Sequence, residues 1–387
     1  MFRYLSILIG IAVAFPFLGF GAVKDPAPPE VTGYVFTRGT ALTPGQVDAK
    51  YLTRINYAFA NIQGGRMVLG EPTDAQNFAQ LTALRNVNPR LTVLVSVGGW
   101  LWSTNFSDMA LTAESRRRFE QSVMEFLAKY DLDGVDIDWE YPGLTGAGHP
   151  FRAEDKQNFT ALLGELRTRF DTEAKRTGRR LYLTIAMGAG DDVIAHSEMK
   201  KVERYVDTVN LMTYDYYEAG SDATTGHHAP LFANPADPKK ASSDETVRAY
   251  EKAGVPSEKI LLGVPFYGRA WGEVQDKNHG LFQPGKTVAG VNAQYSAIVS
   301  DMLGQGFTRY WDDAAKAPYL YNSEKHIFVS YEDPESLRAK CKYVREHKLG
   351  GVMFWEYFGD AEGKLLQAIG GELGVKDSKL SVHSSKF

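Results

Sequence analysis

This sequence predicts an α/β fold, a TIM (β/α)8 barrel with a small α+β insertion after the seventh strand. Three observations carry the prediction. Eight short apolar runs alternate with amphipathic helical patterns along the chain. Strands linked through helices run parallel with right-handed crossovers, and eight of them close a barrel. One interval, between Arg269 and Lys348, is too long for a single crossover and holds strand-like and helical pieces of its own.

The chain opens differently from its remainder. Arg3 precedes an apolar run from Tyr4 to Ala22 that is broken by Pro16 and ends in Gly19, Gly21 and Ala22. This reads as a secretory signal peptide over residues 1–22, cut near Gly21 or Ala22, which places the mature protein in the periplasm or outside the cell. Pro16 and the small-residue exit favour cleavage over an uncleaved membrane anchor. No later stretch is apolar enough to span a bilayer, so no membrane association is expected after cleavage. A Pro-rich linker covers residues 25–30, and the barrel domain is expected over 31–387.

Strand runs fall at residues 31–36, 55–62, 92–100, 134–141, 181–189, 208–217, 260–267 and 351–357. Between them, Phe119, Val123, Phe126 and Tyr130 recur at helical spacing, as do Phe159, Leu162, Leu163, Leu166 and Phe170. Weaker helical patterns cover 74–85, 197–205 and 243–253. The insertion is expected over 270–347, with a helix near 293–303 and strands near 319–321 and 327–331. A last helix follows Gly359, and the polar tail from Lys376 is expected to be disordered.

Composition narrows the partners. The 387 residues are 44% hydrophobic and 23% charged, enough for a large core. A net charge of -4 offers no attraction to nucleic acid or an anionic membrane. Cys341 is the single cysteine, so neither an intramolecular disulfide nor a cysteine metal site can form. Its half-apolar helical setting reads as a buried small hydrophobe. A monomer is expected.

The stretch Asp133-Gly-Val-Asp136-Ile-Asp138-Trp-Glu140-Tyr141-Pro142 carries the chemistry. Val135, Ile137 and Trp139 alternate with Asp136, Asp138 and Glu140, the period of a strand, so three carboxyls share one face. Same-face neighbours lie about 6.6 Å apart along a strand. In a partly buried setting three such charges cannot coexist, and at least one carboxyl keeps a proton near neutral pH. A proton held beside a carboxylate is what acid-catalysed bond cleavage needs. A calcium loop would set Gly and polar residues between its ligands rather than Val, Ile and Trp. A solvated edge strand would not carry three bulky apolar groups on its other face.

Asp133-x-x-Asp136-x-Asp138-x-Glu140 resembles the DxxDxDxE signature of family 18 glycoside hydrolases, the chitinase family, and Trp139, Tyr141 and Pro142 make it similar to the bacterial members. The resemblance extends to four further strand ends, where barrel enzymes place their sites. Ser96-Val-Gly98-Gly99-Trp100 matches the family's SxGG, with Ser96 within reach of Asp136 and the glycines allowing close backbone approach. Met212-Thr-Tyr214-Asp215 matches MxYD, which implies Tyr214 and Asp215 around the reacting sugar and Met212 beneath it. In Pro265-Phe-Tyr267-Gly-Arg269, Tyr267 and Arg269 are implied sugar ligands. In Phe354-Trp355-Glu-Tyr357, Trp355 is the implied apolar floor. On the first two strands, Tyr34 is expected to reach Asp136 and Phe59 to pack near that floor. The chain departs from the family where many relatives carry a Trp after Tyr217. It reads Glu218-Ala-Gly-Ser221 there, leaving Trp100 and Trp102 as candidates for that stacking role.

The resemblance implies a substrate-assisted retaining mechanism, a stated exception to the two-carboxylate scheme. The 2-acetamido oxygen of the sugar attacks the anomeric carbon. Glu140 protonates the leaving oxygen and then activates water. Asp138 orients the acetamido N–H, Asp136 shares a proton with Asp138, and Tyr214 donates to the acetamido oxygen. The implied substrate is chitin or a chitooligosaccharide, β-1,4-linked N-acetylglucosamine, with no metal and no cofactor. Alternatives are an N-acetylglucosaminidase acting on peptidoglycan or N-glycans, and a non-catalytic chitin-binding lectin. Lectins of this kind typically lack the terminal Glu or an Asp of the signature, and both are present here.

Overall fold

Parallel strands begin with β1 (Glu30–Phe36) and β2 (Arg54–Gln63) in the computed structural model, which describes residues 29–375. The expected signal peptide and the polar tail lie outside the described residues. A short β3 (Arg66–Leu69) turns back on β2 as an antiparallel hairpin. The barrel continues through β4 (Thr92–Gly98), β5 (Gly134–Asp138), β6 (Tyr182–Gly188), β7 (Thr208–Met212) and β8 (Ile260–Pro265). An excursion then carries β9 (Arg269–Gly272), β10 (Lys286–Thr287), β11 (Thr308–Asp312), β12 (Ala317–Asn322) and β13 (Ile327–Ser330), before β14 (Gly351–Trp355) completes the ring. β14 pairs with β8 on one side and β1 on the other, and β1 also pairs with β2, so the eight parallel strands close.

The helical layer comprises α1 (Asp74–Ala83), α2 (Phe106–Ala110), α3 (Ala113–Tyr130), α4 (Asp155–Thr177), α5 (Asp191–Ala195), α6 (Met199–Val202), α7 (Ser243–Lys252), α8 (Tyr295–Asp301), α9 (Pro334–Glu346) and α10 (Lys364–Leu373). α3 starts where Thr112 accepts from the Ser115 amide at 3.0 Å in a capping box, and it stops at Asp131 in the left-handed region. Phe119, Val123 and Phe126 of α3, with Phe159, Leu162, Leu163, Leu166 and Phe170 of α4, are buried in the same core as Val135 and Ile137. Burial of each such side chain contributes about 2 kcal/mol.

Three differences from the sequence reading bear on the site. The runs at 134–141 and 208–217 are longer than the strands, which stop at Asp138 and Met212. Beyond those points the backbone leaves the sheet. Thr213 N–H bonds back to Leu211 O, and Asp215 sits at φ 60°. Glu140, Tyr214 and Asp215 therefore stand on loops at the mouth. The first crossover, between β1 and β2, contains no helix, since Pro44-Gly45 and short turns replace one. The insertion sheet is also shorter than the predicted 270–347. Its antiparallel order, β10-β9-β13-β12-β11, ends at Ser330, and α9 then packs on β8, β14 and α10 as a barrel helix. The sheet has its own apolar cluster of Trp271, Tyr319, Tyr321 and Phe328, which takes in Tyr217 from the loop after β7.

Candidate active site

The site is built on β5. Alternation sends Val135 and Ile137 outward to the helices and Asp136 and Asp138 into the barrel. Trp139 continues the outward set, stacked on Phe106 with ring centres 5.1 Å apart. Asp136 is fully buried and accepts four hydrogen bonds. Tyr34 Oη and Ser96 Oγ each donate to Oδ2 at 2.8 Å, while Thr184 Oγ1 at 2.5 Å and Asn210 Nδ2 at 3.1 Å donate to Oδ1. Burial raises this carboxyl above its ordinary range, and the donors pull it back. Asp138 lacks such a set. Its Oδ1 is buried without a hydrogen-bond partner among the described residues, and burial, Glu140 and Asp136 together push it well above the carboxylate range. Glu140 is pushed up to about 7, first by burial and then by the charge of Asp215, against a hydrogen bond from Tyr141. All three neighbouring carboxyls are thus raised, chiefly by burial, as crowding on one buried strand face demands.

The backbone around them is held by small residues. Gly98 pairs with Asp138 across β4 and β5, and a Cβ on Gly98 would lie 2.2 Å from Asp138 O. Gly99 N–H donates to that carbonyl at 2.8 Å, and a Cβ on Gly99 would lie 2.7 Å from the Phe59 ring. Ser103 accepts from Glu140 N at 2.9 Å and donates to Gly99 O at 2.9 Å, setting the acid's backbone against the strand-four loop.

Aromatic rings form the floor. Trp355 stacks on Phe59 at 5.5 Å and lies 5.8 Å from Tyr34 and 5.6 Å from Phe36. Phe59 reaches it because the β2–β4 register shifts between Ala58 and Ala60. Met212 and Tyr214 border the same cluster. Asp215 is held from two sides. Tyr267 Oη donates to Oδ2 at 2.7 Å and Arg269 Nε to Oδ1 at 2.8 Å. Burial raises this carboxyl, but His228 and Arg269 outweigh burial and hold it well below the usual carboxylate range.

These groups line one cleft of about 1890 Å³, larger than a small-molecule pocket and suited to an oligomer. Of the residues singled out from sequence, Tyr34, Phe59, Trp100, Asp138, Glu140, Tyr141, Met212, Tyr214, Asp215, Tyr267, Arg269 and Trp355 line it. Trp100 is half exposed, with its ring 6.5 Å from Tyr141. Asp136, Ser96 and Gly99 do not line it. Ser96 is wholly buried one level down and acts on Asp136, while Gly99 contributes backbone. Sequence reasoning passed over Thr184 and Asn210, although each is a polar residue at an inward position of a mostly apolar strand. It also passed over Ser103, Phe36 and the Arg38–Glu356 pair (3.1 Å) at the cleft wall. Asp133, the first acid of the signature, lies at the opposite end of the strand. It accepts Val93 N–H at 2.8 Å and pairs with Arg85 and Arg179, anchoring β5 rather than facing the cleft.

Known proteins of one family resemble this chain. The sequence model described as "Glycosyl hydrolases family 18" matches residues 30–360. Chitinase A1 of Niallia circulans is 40% identical over 79% of this chain, which spans 48% of that protein's length. Chitinase B of Serratia marcescens is 33% identical over 85% of this chain and 77% of its own. A solved structure titled as a family 18 N-acetylglucosaminidase from Paenibacillus barengoltzii superposes with a TM-score of 0.81 at 41% identity, covering 89% of this chain and 99% of that one.

Proposed function

The chain belongs to glycosyl hydrolases family 18, and from that premise we propose that it is a chitinase. It cleaves β-1,4 bonds between N-acetylglucosamine units with retention of configuration. One observation carries the reading. Glu140 is a buried acid pushed up to about 7 at the floor of an aromatic cleft. A group of that strength still holds its proton near neutral pH and can release it to a departing sugar oxygen. The conjugate base it leaves can then take a proton from water.

The nucleophile comes from the substrate. Asp215, a carboxylate elsewhere in the cleft, has both oxygens occupied by Tyr267 and Arg269 and is not free to attack an anomeric carbon. The substrate's own acetamido oxygen fills that role. The unpartnered Oδ1 of Asp138 accepts the acetamido N–H, which orients the group and stabilises the oxazolinium cation. Tyr214 donates to the acetamido oxygen. Asp136 shares a proton with Asp138, while its four donors let it hold negative charge at that depth. Trp355, with Phe59 and Phe36 beside it, stacks the apolar face of the sugar. The enzyme works as a monomer outside the cytoplasm, directed there by residues 1–22.

Incubation of wild type and Glu140→Gln with a chitin tetrasaccharide, with anomers followed by NMR, tests the reading. Immediate β-anomer from wild type alone supports it. Tight binding without cleavage by either protein would replace it with a lectin.

A further inference from the structure

His228 lies behind Asp215 and takes no part in the chemistry proposed above. It sits on the loop between β7 and α7 and is fully buried. Its Nδ1 lies 3.5 Å from Asp215 Oδ1, and its ring packs 5.4 Å from that of Tyr267. Neither ring nitrogen makes a hydrogen bond of good geometry within the described residues. Leaving a polar ring atom buried without a partner is destabilising. A Phe ring would fill the same space against Tyr267 without that cost, so space-filling does not account for a histidine here.

The loop backbone that carries this ring is fastened. His228 N–H donates to Ser330 Oγ at 2.9 Å, and its carbonyl accepts Tyr216 N–H at 3.0 Å. The next carbonyl, of Ala229, accepts Lys340 Nζ at 2.7 Å. Lys340 is itself fully buried and paired with Glu332, which Ser336 supports. The groups facing the ring are Asp215, Arg269, Tyr267 and Lys340. Burial, with help from Arg269 and Lys340, holds the imidazole below its ordinary pKa, so the ring is neutral at pH 7 and carries one N–H.

We infer that His228 is a positioning residue for the hydrolytic reaction, presenting Nδ1–H to Asp215 Oδ1, the oxygen that Arg269 Nε also holds. With that third contact, Asp215 is held in the rotamer that faces the reacting sugar and acts on Glu140. Catalytic hydrogen bonds are commonly long until substrate closes the site, and 3.5 Å is within that habit. The role rests on the reading of the cleft as a glycosidase site, but its test does not depend on that reading alone.

Two measurements decide it. In ¹⁵N-labelled wild type, long-range correlation spectra assign the His228 tautomer. A proton on Nδ1 is expected, and a proton on Nε2 with a bare Nδ1 toward Asp215 would overturn the inference even if the protein proves inactive. In kinetics on a chitin tetrasaccharide, His228→Phe keeps the ring and loses the donor. Displacing a group beside the reacting atoms by about 1 Å can cost on the order of 10²-fold, so kcat should fall by ~10- to 100-fold with KM little changed. His228→Asn sets an amide nitrogen where Nδ1 stands and should recover most of kcat. Equal loss in both variants, or no loss in His228→Phe, would show that the ring only packs. If His228→Phe fails to fold, the tautomer and His228→Asn still decide. Inactive wild type with the Nδ1–H tautomer would refute the glycosidase reading and leave the contact standing.

Discussion

Substituting Glu140 by Gln should abolish hydrolysis and, at neutral pH, make the protein more stable. The carboxyl titrates at about 7 in the folded chain against an ordinary value of 4.5, chiefly because burial disfavours its charge. Its folded-state pKa is raised, so its contribution to stability is fully present below pH 4.5 and is lost as pH climbs toward 7. The folded protein holds a proton through that window that the unfolded chain releases. Integrated across the window, the loss amounts to about 3 kcal/mol. Gln cannot ionise and escapes it. With unfolding entropy near 2.1 cal/mol/K per residue, such a gain raises the Tm by about 4 °C for a domain of this length. Thermal unfolding of both proteins from pH 4 to pH 8 is the assay. The curves should coincide at pH 4 and diverge as pH rises, with the variant higher by pH 7.5. A difference that is flat with pH would mean Glu140 ionises in the folded state as it does in water, and the case for it as a proton donor would fall.

Other expectations follow from the same geometry. Tyr34→Phe removes one of two donors on Asp136 Oδ2, and a bond to a charged buried group contributes about 1.5–3 kcal/mol. Urea denaturation should show that loss, and the acid limb of the activity profile should move to higher pH as Asp136 protonates more readily. Asp133→Ala strips the partner from Val93 N–H, Arg85 and Arg179 at the far end of β5. It should cost about 1–3 kcal/mol by denaturation while kcat for a chitin oligomer stays unchanged. Lys340→Met leaves Glu332 buried without its cation and should cost about 3–5 kcal/mol, with Lys340→Met plus Glu332→Leu regaining most of it in the same assay. Cys341 is buried, and its thiol is pushed up to about 12, so thiol reagents should leave the native protein unmodified at pH 8 by mass spectrometry.

Much of this protein was legible in one dimension. Each of the eight barrel strands falls on one of the eight apolar runs, overrunning it by a residue at most, because a parallel strand covered on both faces must be apolar almost throughout. The alternation of acids with Val135, Ile137 and Trp139 set the two faces of β5, and strand-end residues such as Tyr214, Tyr267 and Trp355 do meet in one cleft. Those features depend on neighbours in sequence or on a general rule of barrels. What the tertiary structure alone decided depends on register between strands distant in the chain. Asp136 is level with Ser96 and Thr184 on the flanking strands, and Asn210 and Tyr34 reach it across the barrel interior, so its four donors come from four different strands. Local periodicity cannot say which inward positions share a level: only the family resemblance pointed Ser96 and Tyr34 at Asp136, and Thr184 and Asn210 were passed over. Ser103 beneath Glu140 and His228 behind Asp215 sit on loops with no period at all. Their places are set by hydrogen bonds to residues 37 and 102 positions away. The early end of the insertion also rests on tertiary packing, since only its contacts with β8, β14 and α10 make α9 a helix of the barrel.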